Sequence, residues 1–190
     1  MLKSVAMIKG VFLFFLWACS LFFVQPSFAD EQDMSDLFRN ITKIEEETFF
    51  PEGIEIEDRD GNMVALFDSG EGQFTVLNLW ATWCPSCIKE LPSLSRLNSS
   101  VVSKKGWRVM AVSIDMNDQR GKVLDFIEER NLSEVAAYFD SNLSLQKNMN
   151  IRGLPVTWIL DDKGRILYEI TGIAEWDRLA IISFLLGMHS

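Results

Sequence analysis

Asn78-Leu79-Trp80-Ala81-Thr82-Trp83-Cys84-Pro85-Ser86-Cys87-Ile88-Lys89-Glu90-Leu91-Pro92 is the stretch on which the fold turns. The residues leading into it make Phe74–Trp80 a mostly apolar run, suited to a strand buried at the centre of a sheet. Beyond Cys87, Leu91, Leu94 and Leu97 recur three apart and predict a helix, with a kink expected at Pro92. Two thiols therefore fall where a buried strand hands over to the start of a helix. Their spacing lets them close a small disulfide ring, or open as a dithiol, with little backbone movement. A helix amino terminus carries partial positive charge, so Cys84, the first and more exposed sulfur, is expected to be partly thiolate, the attacking species in disulfide exchange. Cys87, one turn in, is placed to resolve the mixed disulfide. A zinc half-site lacks two further Cys or His ligands, and no metal is expected. A purely structural disulfide stays open, although so small a loop adds little stability.

The rest of the chain narrows the chemistry. It has 190 residues with 18 Lys and Arg against 27 Asp and Glu, three Cys and one His. The acidic excess repels phosphate backbones and argues against nucleic-acid binding. The single His189 stands next to the last residue, which leaves no histidine triad or multi-His cage. Lys3 and Lys9, the apolar run Val11–Val24 and the small-x-small site Ser27-Phe28-Ala29 describe a secretory signal peptide over residues 1–29. Cleavage after Ala29 is expected. The alternative is an uncleaved membrane anchor, whose strictly apolar run falls short of the roughly 20 residues that span a bilayer. Cys19 lies in this leader, so the exported chain keeps only Cys84 and Cys87. Export places them in a compartment where disulfides persist.

Residues 30–47 are acidic, and Leu37, Phe38, Ile41 and Ile44 at helical spacing predict an amphipathic helical linker. Ile54–Glu57 and Met63–Leu66 flank Asp60-Gly61-Asn62 as a β-hairpin. Trp107–Ile114 reads as a second buried strand, and Val123, Leu124, Phe126 and Ile127 as a helix stopped at Asn131. A short strand at Ala136–Phe139 and a short helix at Leu143–Met149 follow. Val156–Leu160, the turn Asp161-Asp162-Lys163-Gly164 and Arg165–Thr171 read as strand, turn and strand, and Trp176–Leu186 as a closing helix. The predicted fold is α/β, a sheet of mixed direction flanked by helices. Trp80, Trp107, Trp158 and Trp176 are assigned to the core.

The quoted stretch resembles the active-site segment of thioredoxin-fold proteins, in particular the extracytoplasmic TlpA/ResA/DsbE-like thiol-disulfide oxidoreductases. Gly153-Leu154-Pro155-Val156-Thr157 resembles the loop that carries a cis-proline facing the cysteines. The resemblance implies a thioredoxin-like domain over residues 48–190 with an amino-terminal hairpin and a TlpA-type central insertion. It further implies a protein-disulfide reductase that works with no cofactor beyond a redox-active Cys84–Cys87 disulfide. Its partners would be a cysteine-containing protein substrate, such as a cytochrome-maturation apoprotein, and an upstream membrane thiol reductant, in the periplasm or an equivalent compartment, with a membrane tether as the alternative to the free chain. A net oxidant or isomerase, or a non-catalytic binding or chaperone module, are the alternatives. Trp83, Pro85, Ser86, Leu154 and Pro155 are expected to meet the substrate. Thioredoxin has a buried Asp where this chain has Asn78, so Asn78 is not the proton acceptor, and Glu90 matches the acidic residue of the ResA/DsbE branch. Three residues from Cys87, Glu90 shares its helix face, and an apolar setting should raise its pKa into the range of a general base. The competing role for Glu90 is to offset the helix dipole.

Overall fold

A computed structural model of the chain describes residues 41–66, 74–101, 106–132, 134–135 and 138–188. Among these, eight strands form one sheet: β1 (Ile41–Lys43), β2 (Glu55–Glu57), β3 (Met63–Ala65), β4 (Phe74–Trp80), β5 (Trp107–Ser113), β6 (Tyr138–Phe139), β7 (Val156–Leu160) and β8 (Ile166–Thr171). The order is β1-β8-β7-β4-β5-β6-β2-β3. Four helices pack with it, α1 (Pro85–Val101), α2 (Arg120–Glu129), α3 (Ser144–Asn148) and α4 (Leu179–Gly187). β4 runs parallel to β5 and antiparallel to β7, so the sheet is mixed as expected. β6 and α3 stand between α2 and β7, where the additional elements of the insertion were expected.

β4 owes its place to its composition. With a neighbour on each edge and cover on each face, six of its seven residues are buried, which only a near-continuous apolar run tolerates. Side chains alternate as the period of two demands: Val76 and Trp80 enter one core cluster, Leu77 and Leu79 the other. The first cluster joins them to Leu91, Leu94 and Leu97 of α1, Val123 and Ile127 of α2, and Ile181 and Leu185 of α4. The second is closed by Leu145 of α3 together with Phe50, Ile54 and Ile56.

The hairpin turn shows its local chemistry. Asp58 Oδ1 accepts the N–H groups of Asp60 and Asn62, each at 2.9 Å, and Gly61 takes φ +91°, a conformation that side-chain-bearing residues rarely adopt. The turn between β7 and β8 repeats the device, with Asp161 Oδ1 accepting Lys163 N–H and Arg165 N–H, each at 2.9 Å, and Gly164 at φ +79°. Asn131, the expected helix stop, has φ 55° two residues past the end of α2.

Two expectations are corrected. The helical linker over 30–47 does not reach its end as a helix, because Ile41–Lys43 is a strand paired antiparallel to β8, with Ile41 opposite Ile170 and Lys43 opposite Tyr168. Ile41 and Ile44 sit three apart, a helical spacing, yet in an extended chain that interval sends them to opposite sides of the sheet. Ile41 packs on the first core cluster and Ile44 on the second. Pairing to the open edge of β8 has overridden local periodicity. The last helix, expected from Trp176, begins instead at Leu179. Trp176 is fully buried in the loop before it, a position its size and apolarity favour whether or not it is helical. The helix α1 runs on through Pro92. The leader with Cys19, residues 30–40, residues 136–137 and His189 lie outside the described residues.

Candidate active site

The site forms where β4 ends and α1 begins. Cys84 occupies the residue before the first helical position, and Pro85, with no N–H to satisfy and a helix-ready φ, follows it. The sulfur of Cys84 accepts the N–H of Cys87 at 3.2 Å, the contact an N-cap side chain makes to the third helical residue. Oriented N–H groups at this terminus favour negative charge on that sulfur. Cys84 and Cys87 are joined as a disulfide with Cα atoms 5.3 Å apart. Cys84 is 6% exposed and Cys87 fully buried, which keeps the first sulfur the one a partner can reach. Cys87 is buried because it begins the apolar stripe that continues through Leu91, Leu94 and Leu97 on the inner side of α1.

Around the pair, Trp83 stands 66% exposed, and Pro85 and Ser86 are exposed beside it. The Leu154–Pro155 peptide bond is cis. The register that sets Leu79 opposite Val156 brings Pro155 to the same end of the sheet as Cys84, and Leu154 packs against the cluster that contains both cysteines. The O atom of Pro155 accepts the N–H of Gly172 at 2.8 Å, which ties this loop to the one after β8. All eight expected site residues thus gather at one end of the sheet.

Glu90 is drawn fully inside, at 1% exposure. Its Oε1 accepts Asn78 Nδ2 at 2.7 Å and its Oε2 accepts the Ala174 N–H at 3.0 Å. Burial pushes its carboxyl up from 4.5 to about 7, and the Ala174, Asn78 and Trp176 hydrogen bonds only partly offset that. A carboxyl that titrates near neutrality one helical turn from Cys87 is equipped to hold or release a proton at working pH. The raised value also has a consequence for stability. The folded chain binds this proton more tightly than the unfolded one, so the contribution is complete below 4.5 and is lost as pH rises through about 7. Its size is about 3 kcal/mol. Urea unfolding at about pH 4 and about pH 8 should show wild type losing that much relative to Glu90→Gln; parallel pH dependences in the two proteins would contradict the buried titration.

Sequence reasoning missed the residues that hold these groups. Asp115, buried two residues past the end of β5, accepts the Thr82 N–H at 2.9 Å, the Thr82 hydroxyl at 2.6 Å and the Ser113 hydroxyl at 2.8 Å, and so clamps the loop entering Cys84. Ser93 Oγ donates to Glu90 O at 2.8 Å and accepts the Trp176 N–H at 3.2 Å, seating the 172–178 loop on α1. Asn78, set aside as a proton acceptor, is a donor to Glu90. No local pattern marks Asp115 or Ser93. Strand alternation alone places Asn78 on the side of Val76 and Trp80, where α1 lies.

Known proteins resemble the chain in sequence and in fold. The chain is 30% identical over 109 residues to the thiol:disulfide interchange protein DsbE of Vibrio cholerae, an alignment covering 56% of this chain and 55% of that one. It is 30% identical over 118 residues to the thiol-disulfide oxidoreductase ResA of Bacillus thuringiensis, covering 62% and 65%. The chain spans about half the length of the DsbE relatives it matches. Among solved structures, StoA from Bacillus subtilis superimposes with a TM-score of 0.57 at 26% identity, covering 68% of this chain and 95% of that one. The Redoxin profile matches from within β1 to within α4, residues 43–181. With the cysteine pair, the cis-proline loop and all of the sheet except Ile41 and Thr42 inside that span, the chain belongs to the Redoxin family.

Proposed function

We propose that this protein is an exported protein-disulfide oxidoreductase that reduces disulfides of cysteine-bearing partners. The observation that carries the reading is the Cys84–Cys87 pair at the start of α1, with the Cys87 N–H on the Cys84 sulfur and Glu90 buried one turn behind. In the reducing direction, the Cys84 thiolate attacks one sulfur of the partner disulfide, and the partner's other sulfur leaves as a thiolate. Cys87 then attacks Cys84, frees the partner's second thiol and leaves the Cys84–Cys87 disulfide, so two electrons pass to the partner. Glu90 takes up the Cys87 proton as that thiol becomes the nucleophile. Exposed Trp83, Pro85 and Ser86, with Leu154 and Pro155, form the surface that receives the partner segment. A membrane thiol reductant returns the pair to its dithiol, and cytochrome-maturation apoproteins are the partner class that the resemblance of the Cys84-Pro85-Ser86-Cys87 segment implies. The leader read over residues 1–29 supports the extracytoplasmic setting, either free after cleavage or tethered.

Trapping of thiols in intact cells tests the direction. A reductant fed by a membrane donor keeps Cys84 and Cys87 mainly as dithiol, so both should react with an alkylating reagent added to living cells. A pair recovered as disulfide would make the protein a net oxidant or isomerase. Full function in Cys84→Ser would identify a binding or chaperone module instead.

A further inference from the structure

Behind the cysteines lies an amide that no part of the exchange chemistry has yet used. Asn78 is fully buried in β4, and both hydrogens of its Nδ2 are committed, one to Glu90 Oε1 at 2.7 Å and one to Thr157 Oγ1 at 2.9 Å. Thr157 is fully buried too, and it is the residue directly opposite Asn78 in the β4–β7 register, so the bridge is built into the sheet and cannot drift from Glu90. The amide oxygen, Asn78 Oδ1, is buried with no hydrogen-bond partner among the described residues. A half-turn of the amide would exchange the two ends, but it would aim the oxygen at the carboxylate. The orientation that strands Oδ1 is therefore the one that serves Glu90 as an anion. An acid at position 78 would instead set two carboxyls at hydrogen-bond distance, and one of them would have to keep a proton.

We infer that Asn78, anchored by Thr157, is a positioning residue that sets the pH at which Glu90 gives up its proton. Its bearing on exchange rests on the proposed oxidoreductase reading; its effect on Glu90 does not. The other groups facing Glu90 leave this role to it. On α1 and the residue before it, the nearby titratable side chains are Cys84 and Cys87, held as a disulfide, while Lys89 is exposed. On the 172–178 loop, Ala174 offers its N–H and Trp176 its indole, neither of which titrates. Glu175 and Arg178 are exposed, and Asp177 pairs with Arg96 at 2.6 Å. From β4 and β7 come only the neutral Asn78 and Thr157. Asn78 is thus the side chain whose donated hydrogen favours the charged form from the sheet side, and its removal must favour the protonated form.

Infrared spectroscopy of the full chain with its disulfide intact, taken as a difference against the matched Glu90→Gln protein, follows the protonated Glu90 carboxyl band with pH. Asn78→Ala should move its midpoint upward by about one pH unit, the effect of losing a hydrogen bond to a charged group. Thr157→Val, nearly equal in volume, should move it in the same direction by less, and Thr157→Ser, which keeps the hydroxyl, should restore the wild-type midpoint. Midpoints of folded Asn78→Ala and Thr157→Val that coincide with wild type, or fall below it, would overturn the inference. If Asn78→Ala does not fold, the Thr157→Val and Thr157→Ser pair decides alone. A Glu90→Gln protein that exchanges disulfides with the wild-type pH profile would remove Glu90 from the proposed chemistry, and the infrared midpoints would still settle what Asn78 does to it.

Discussion

Cys87→Ser is expected to accumulate covalent complexes with partner proteins, Cys84→Ser to form none, and both to lose disulfide exchange down to the uncatalysed background. The asymmetry follows from the start of α1. Cys84 has the donated N–H and the greater exposure, whereas Cys87 is fully buried at the head of the leucine stripe. Only Cys84 can meet an incoming disulfide, and only Cys87 lies close enough to break the bond that results. With Cys87 replaced by Ser the first exchange proceeds and the second stops, so the mixed disulfide persists until an external thiol cleaves it. Non-reducing electrophoresis followed by mass spectrometry of the trapped species checks this and names the partner. Equal trapping by the two variants would sink the division of labour.

Trp80→Ala should cost about 3–5 kcal/mol of folding stability, the range for truncating a buried aromatic. Trp80 is fully buried at the end of β4, and its ring lies 5.7 Å from that of Phe126 at an interplanar angle of 33°. It fills the space where β4, α1 and α2 meet. Sheet and helices are held in place by Val76, Leu91, Leu94 and Ile127 around it, so the cavity closes only in part. A fall in the denaturant midpoint with unchanged m-value is the expected signature. A loss below about 1 kcal/mol would mean that the neighbours collapse into the gap far more freely than close packing allows.

How much of this was legible beforehand depended on the range of the interaction involved. β4, β5, β7 and β8 could be read because each is an apolar run bounded by turn residues. The stops at Asn131 and Gly164 are single-residue conformational preferences. Ile41 and Ile44 misled because their spacing is compatible with a helix and equally with two faces of a strand, and the free edge of β8 decided between them. Trp176 suggested a helix start because its apolarity marks burial, whereas what holds it is Ser93 on another element.

The site divides in the same way. Cys84, Pro85, Cys87 and Glu90 lie within one strand-to-helix junction, so their spacing by itself determined that two thiols would share a helix terminus and that an acid would follow on the helix face of Cys87, while packing decided that this acid is buried and does not merely offset the helix dipole. Pro155 came into view through the resemblance of its own short loop. The tertiary structure alone decided what surrounds them: Asp115 clamping Thr82, Ala174 reaching Glu90 Oε2, and Asn78 spanning from Thr157 to Glu90 Oε1. Those contacts join residues distant in the chain, and their geometry exists only once β4, β5, β7 and α1 are packed. Position on the helix can be written locally, because backbone periodicity carries it; the proton affinity of Glu90 cannot, since it is the balance between the water that packing removes and the three donors that packing supplies.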